Sequence, residues 1–276
     1  MKTTEAFFTG GKNYQIYYQS WLPDKPKAIV QIIHGGVEHI GRYKLIIEYL
    51  VAKNIGVYGN DHRGHGKSEG RRNHSNSLDD MVDDCYILTK IIQKEQGDLP
   101  IFLLGHSMGS FVAQRFAIKH QEELKGLILS GSGTAIMPLP TLLNIVARIM
   151  VKILPTFTGP SGIIPEEISS DPASVEDYIT DPLINYKQAS VKYGLNLVDH
   201  YKDVKDKISS IKIPVLIQKG DQDTMVIHLE ELIEDLNQTE VEVKIYKDSK
   251  HEVYTERKEI REEAFSDLVQ WLNSHL

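Results

Sequence analysis

An α/β fold, a mostly parallel central sheet with helices on both faces and a helical cap inserted late in the chain, is predicted by three features of this sequence. Short apolar runs rich in β-branched residues alternate with stretches of helical period, as in strand–helix–strand units. One run, Pro100 to Leu104 (PIFLL), enters a tight glycine-flanked turn and leaves it as a helix. The alternation then breaks between about residues 135 and 200, where helical pattern continues without a convincing strand.

Taken in order, Tyr14 to Leu22 and Ala28 to Ile33 read as strands, and Gly56 to Asn60 as a short strand running into the loop DHRGHGKSEG. Leu78 to Gln96 has helical spacing, and Ser110 to His120 is helical after the turn at Gly105 to Gly109. Leu124 to Leu129, Pro214 to Gln218 and Val241 to Tyr246 are further strands, and an amphipathic helix runs from about Glu259 to Leu276. The predicted organisation is a core of residues 1–134 and 201–276, interrupted by a cap of residues 135–200. A core with such an insertion reaches 276 residues as one folding unit.

Composition narrows the function. With 41% apolar and 25% charged residues, the chain can bury a large core. The net charge of −7, with no long run of Lys and Arg, disfavours nucleic-acid binding. Cys85 is the single cysteine, so no intrachain disulfide is possible; on a helical stretch it reads as a buried structural thiol. The amino terminus lacks the apolar run of a signal peptide, and no stretch nears the roughly 20 apolar residues of a membrane span. A cytoplasmic location is the expectation.

Chemistry concentrates at Gly105-His106-Ser107-Met108-Gly109, a G-x-S-x-G turn between strand and helix. Glycines two residues either side let strand and helix approach closely around a strained serine. Ser107 then stands at a helix N-terminus, where backbone N–H groups favour developing negative charge. Ser110 reads as a first-turn residue. A serine nucleophile needs a base, and the base an orienting carboxylate, here in the order Ser…Asp/Glu…His. His251, after VEVKIY and KDSK, fits the base; His228 opens a helix and His275 lies in the terminal one. For the acid, Asp221 and Asp223 compete on the loop after IPVLIQ, and spacing slightly favours Asp223. The strand ending in His34-Gly35-Gly36 offers unshielded backbone N–H groups, so those of Gly36 and Met108 would make a two-donor oxyanion hole. Neither a metal nor a cofactor is implied.

Four motifs together, HGGVEHIGRY (34–43), DHRGHGKSEG (61–70), GHSMGS (105–110) and GDQDTMV (220–226), with His251 behind them, resemble the monoacylglycerol lipase and lysophospholipase branch of the α/β hydrolases. The resemblance covers roughly residues 10–130 and 205–276, and not clearly the cap. It implies the α/β-hydrolase fold, hydrolysis of a single-acyl lipid ester through an acyl-enzyme, and the triad Ser107, Asp223 and His251. It also implies that Glu38 and Arg42 lie near the alcohol end of the substrate, with an internal ion pair as the alternative role. DHRGHGKS reads as scaffold.

The stretch Thr141 to Leu154 (TLLNIVARIMVKIL) is apolar except for Thr141 and a stripe at Asn144, Arg148 and Lys152. Leu142, Ile145 and Ile149 share one face and are candidates to line an acyl tunnel. The alternatives are a helix packed on the core and a face that touches lipid aggregates or a membrane surface transiently. A short-chain esterase, a peptidase and a non-catalytic ligand-binding relative are the competing functions.

Overall fold

The computed structural model describes residues 1–136 and 140–276. Eight strands make the central sheet: β1 (Lys2–Thr9), β2 (Gln15–Leu22), β3 (Ala28–Ile33), β4 (Ile55–Asn60), β5 (Ile101–His106), β6 (Gly126–Ser130), β7 (Val215–Gly220) and β8 (Val241–Tyr246). Their order is β1-β2-β4-β3-β5-β6-β7-β8. From β4 onward every pairing is parallel, while β1 and β2 add an antiparallel edge.

The helices are α1 (Lys44–Ala52), α2 (Leu78–Gln96), α3 (Met108–His120), α4 (Thr141–Ile153), α5 (Pro172–Thr180), α6 (Val191–Val198), α7 (His200–Ile208), α8 (Leu229–Asp235) and α9 (Lys258–Ser274). The interior strands are apolar throughout because both faces are covered. Ile101 and Leu103 of β5 pack with α2 and α3, while Phe102 and Leu104 join the core built with α1 and α9. Buried Cys85 on α2 belongs to the first of these cores.

Strand β1 and helix α1 are among the elements that go beyond the sequence expectations. Strand β1 exposes all but Phe8 and partly covered Ala6, so it lacks the apolar signature of the inner strands. Helix α1 is only nine residues long, with Ile46, Ile47 and Leu50 buried.

The expectation of a strand-free stretch between residues 135 and 200 needs correcting. Ala135–Ile136 pairs with Val226–Ile227, and Thr158–Pro160 with Gln188–Ser190. Ribbons of two or three residues are too short to leave a period-2 pattern. None of them joins the central sheet.

Candidate active site

Strand β5 ends at His106, and Ser107 turns sharply, at φ 53° and ψ −123°, into α3. A non-glycine residue with positive φ is strained by about 1–3 kcal/mol and persists only where its neighbours enforce it. Here the Ser107 N–H donates to Ser130 O at 3.0 Å, and its carbonyl accepts from Ser110 N–H at 2.8 Å and Ser110 Oγ at 2.6 Å. A Cβ at Gly105 would stand 2.3 Å from Gly109 O, and one at Gly109 2.2 Å from Ile33 O. The glycine spacing is thus a steric demand of the crossing. Ser110 is a first-turn residue.

Loops after β7 and β8 bring the other two side chains together. His251 Nδ1 lies 3.0 Å from Asp223 Oδ2, at ion-pair distance but off the axis of a hydrogen bond. Both side chains are buried. Asp223 Oδ1 accepts from the N–H groups of Met225 (2.9 Å) and Val226 (3.3 Å). Oδ2 also accepts from Lys219 Nζ at 2.9 Å. Burial works to raise the pKa of Asp223, but the charges of His251 and Lys219 outweigh it and hold the carboxyl well below the ordinary range. Asp221 instead lies exposed, its carboxylate receiving the Ser249 N–H at 3.3 Å. His251 sits beside the elbow, its ring 4.8 Å from that of His106.

The crossing of α3 over the end of β3 also sets the third component. A Cβ on Gly35 would come within 3.3 Å of Ser107 Cβ, and one on Gly36 within 3.8 Å of Met108 Cβ. Gly36 and Met108 are therefore neighbours beside Ser107. The DHRGHGKS loop braces this arrangement. Asp61 accepts from Ile40 N–H (2.9 Å) and Lys67 N–H (2.7 Å), and His34 Nε2 accepts from His62 N–H at 2.9 Å. Arg63 pairs with buried Asp84 through two 2.8 Å bonds.

Glu38 and Arg42 are drawn into one buried cluster. Glu38 Oε2 meets Arg42, and its Oε1 accepts from Tyr43 Oη at 2.7 Å and from the Gly35 N–H. Arg42 grips Glu252 with bonds of 2.7 and 2.8 Å and lies over the Tyr178 ring. Burial favours the neutral acid at Glu252, but Arg42 more than offsets it and pulls the pKa to about 2. The ion-pair role holds, and the same residues line a small open pocket with His106 and Thr255.

The tunnel assignment for Leu142, Ile145 and Ile149 is overturned. These residues are 76%, 52% and 56% exposed, whereas Ala147 is buried. The reason is polar. Arg148, itself exposed, forms two bonds to Asp199 (2.9 and 2.6 Å) and one to Asn144 (2.6 Å), clipping one edge of α4 so that Ala147 faces the protein and the Leu142, Ile145 and Ile149 face is left in solvent. Helix α4 packs on α6, and α6 carries the side chain that reaches Met108, so α4 is one layer removed from Ser107.

Lys219, Tyr193, Glu252 and His106 are site residues not foreseen. Lys219 had a signal, a lone charge inside the apolar strand VLIQKG. Tyr193 had none, because its contacts join segments far apart in sequence.

Among the described residues, no helix is long and apolar enough to cross a membrane. A family profile described as serine aminopeptidase, S33, matches residues 24–258. The monoacylglycerol lipase of Mycolicibacterium smegmatis is 29% identical over 99% of this chain and 98% of its own. Human monoglyceride lipase is 28% identical over 94% and 86%. The crystal structure of Paleococcus ferrophilus monoacylglycerol lipase superposes with a TM-score of 0.81 at 31% identity, covering all of both chains. A thermostable carboxyl esterase from Bacillus coagulans gives 0.83 at 26% identity, covering 100% of this chain and 99% of its own. With the profile spanning most of the sequence and the fold shared end to end, the chain belongs to the serine aminopeptidase S33 family of α/β hydrolases and is a hydrolase of the serine type.

Proposed function

We propose that this chain hydrolyses single-acyl lipid esters, monoacylglycerols foremost and lysophospholipids as the neighbouring class, through an acyl-enzyme on Ser107. His251 takes the proton of Ser107 Oγ as the oxygen attacks the ester carbonyl, and Asp223 holds the imidazole and balances its charge. The N–H groups of Gly36 and Met108 receive the oxyanion. His251 then protonates the departing alcohol, and water repeats the sequence on the acyl-enzyme. The pocket edged by Glu38 and Arg42 is read as the alcohol side.

The observation that carries the lipid reading is the outward apolar face of α4, where Leu142, Ile145, Ile149 and Ile153 stand exposed together. A soluble protein keeps such a patch for contact with another apolar surface. We read residues 135–200 as a cap whose outer helix meets lipid aggregates, and the site beneath as open to a chain delivered from them. The relatives named above as monoacylglycerol lipases support the same substrate class. A peptidase reading is weaker: Glu38 and Glu252, the carboxylates of the pocket beside His106, are already held by Arg42 and are not free to receive a peptide ammonium. A cytoplasmic setting fits a lone, buried thiol.

Relative kcat/KM for p-nitrophenyl esters of rising chain length, monoacylglycerols, lysophospholipids and aminoacyl-p-nitroanilides tests the proposal. Monoacylglycerol should exceed the acetyl ester and the anilides by at least about tenfold, because each additional buried CH₂ contributes about 0.8 kcal/mol. A preference for acetyl esters or anilides would overturn it.

A further inference from the structure

The segment between β6 and β7 sends one side chain into the loop at the nucleophile. Tyr193, on α6, is buried, and its hydroxyl donates to Met108 Sδ at 3.2 Å. A Cβ built on Gly36 would stand 2.8 Å from that same hydroxyl oxygen. The backbone of Val37 lies against it as well. One phenol oxygen therefore touches both residues whose N–H groups make the proposed oxyanion hole.

The phenol is held firmly. Ser190 caps α6 by accepting the Tyr193 N–H at 3.1 Å, its N–H donates to Asn73 O at 2.9 Å, and its Oγ bonds His74 Nδ1 at 2.8 Å. The Asn73 side chain donates to Asn185 O and Gln188 O at 2.6 and 2.7 Å. The start of α6 is thus tied to the chain just after the DHRGHGKSEG loop.

The loop that Tyr193 meets needs such support. Val37 is β-branched yet sits at φ 58°, a strained left-handed conformation that persists only where surroundings enforce it. It packs against Ile168 and Tyr178, both from the same inserted segment, and His39 Nε2 lies 2.9 Å from Asp181 Oδ2. Gly36, by contrast, lies outside the left-handed region, so its backbone would accept a side chain. What forbids one is the phenol oxygen standing where a β-carbon would go. Burial raises the Tyr193 pKa far above its ordinary value, with the Glu38 charge adding to it, so the group stays an O–H donor at any working pH.

We propose that Tyr193 is a positioning residue for the oxyanion hole: its hydroxyl, filling the space at Gly36 and bonded to Met108, fixes the directions of their two N–H groups. The inserted segment thereby governs the rate of acyl transfer and not only the choice of acyl chain. This rests on the reading of Gly36 and Met108 as the hole, and the experiment separates the two.

The test is a double-mutant cycle of wild type, Tyr193→Phe, Gly36→Ala and the double variant on p-nitrophenyl butyrate, with kcat and KM resolved and Tm measured. Tyr193→Phe deletes one oxygen. It should lower kcat about tenfold with KM within about twofold, a fraction of the loss on removing a hole donor outright. Gly36→Ala drives a methyl against the hydroxyl and should cost kcat at least as much. In the double variant the methyl takes the vacated volume, and kcat should return to within about threefold of wild type. A wild-type kcat in Tyr193→Phe, or a double variant whose loss is the product of the single losses, overturns the positioning role. Labelling of Ser107 by a fluorophosphonate, run on all four proteins, tests the parent reading: a wild type that does not label there sinks the site itself, whereas a labelled wild type with an unmoved kcat in Tyr193→Phe sinks only the positioning role.

Discussion

Four groups converge on the two oxygens of Asp223: the N–H groups of Met225 and Val226 on Oδ1, and Lys219 with His251 on Oδ2. Lys219 is itself buried and also bonds Val226 O. The carboxylate therefore serves the loop as well as the histidine. This separates variants that look alike on activity alone. Ser107→Ala and His251→Ala should each lower kcat by about 10⁴ to 10⁶ and leave Tm within a few degrees. Asp223→Asn should cost about 10⁴ in kcat and, because it removes the charge paired with the buried Lys219 ammonium, about 3–5 kcal/mol of stability as well. Asp221→Asn, altering an exposed carboxylate, should change stability by less than about 0.5 kcal/mol and leave kcat alone. Steady-state kinetics with urea melts on the four proteins checks this. An Asp223→Asn variant as stable as His251→Ala would show that Lys219 does not depend on the carboxylate.

At the scale of elements, α4 and the elbow show what a sequence discloses and what it withholds. The elbow was legible because its demands are local: Gly105, Ser107 and Gly109 must occupy one turn, and the strand and helix that flank it carry their own periods. The inner strands were legible for the same reason. Helix α4 was legible as a helix with a polar stripe, but which face packs inward depends on distant partners such as Asp199, some fifty residues on, which holds Arg148 at the exposed edge of the contact. Periodicity finds a face and not its partner, so the apolar residues stood open between packing on the core, lining an acyl tunnel and touching a lipid surface. Tyr193 was hidden for the same reason. The corrected orientation has a measurable consequence. Replacing Leu142 and Ile149 together by Gln should leave hydrolysis of dissolved p-nitrophenyl acetate within about twofold, since both residues stand in solvent. Binding to monoacylglycerol-containing vesicles, and hydrolysis there, should fall at least about tenfold, because burying such a side chain contributes about 1.5–3 kcal/mol. Equal activity on both substrates would show that the face meets no lipid.

Over the whole molecule, several imidazoles are buried, and they should govern how stability changes with pH. Burial lowers the pKa of His62 to about 3, with His65 adding to the effect, of His65 to about 4, and of His106 to about 3, with His251 adding there. His34 and His200 are held well below the ordinary value for the same first reason, desolvation. All five are neutral in the native state near pH 5, whereas in the unfolded chain they take up protons near pH 6.5. The unfolded state thus binds more protons throughout the window from about 6.5 down to about 4, and stability falls as pH falls across it. Each histidine costs about 1.4 kcal/mol per pH unit in that window. Asp61, Asp84 and Glu38, raised by burial, work in the opposite sense above the ordinary carboxyl pKa of about 4, but these three groups oppose five histidines. Between pH 7 and 5 the histidines therefore dominate. Tm should drop by roughly 10 °C or more over that interval, well before Asp223 and Glu252 protonate. His106→Asn removes one such group and should flatten the slope of unfolding free energy against pH by about one proton, even though it weakens the fold at pH 7. Urea melts of both proteins at half-unit steps would show it. A wild-type Tm that stays level from pH 7 to 5 would mean that the buried histidines find protons, or water, in the native state.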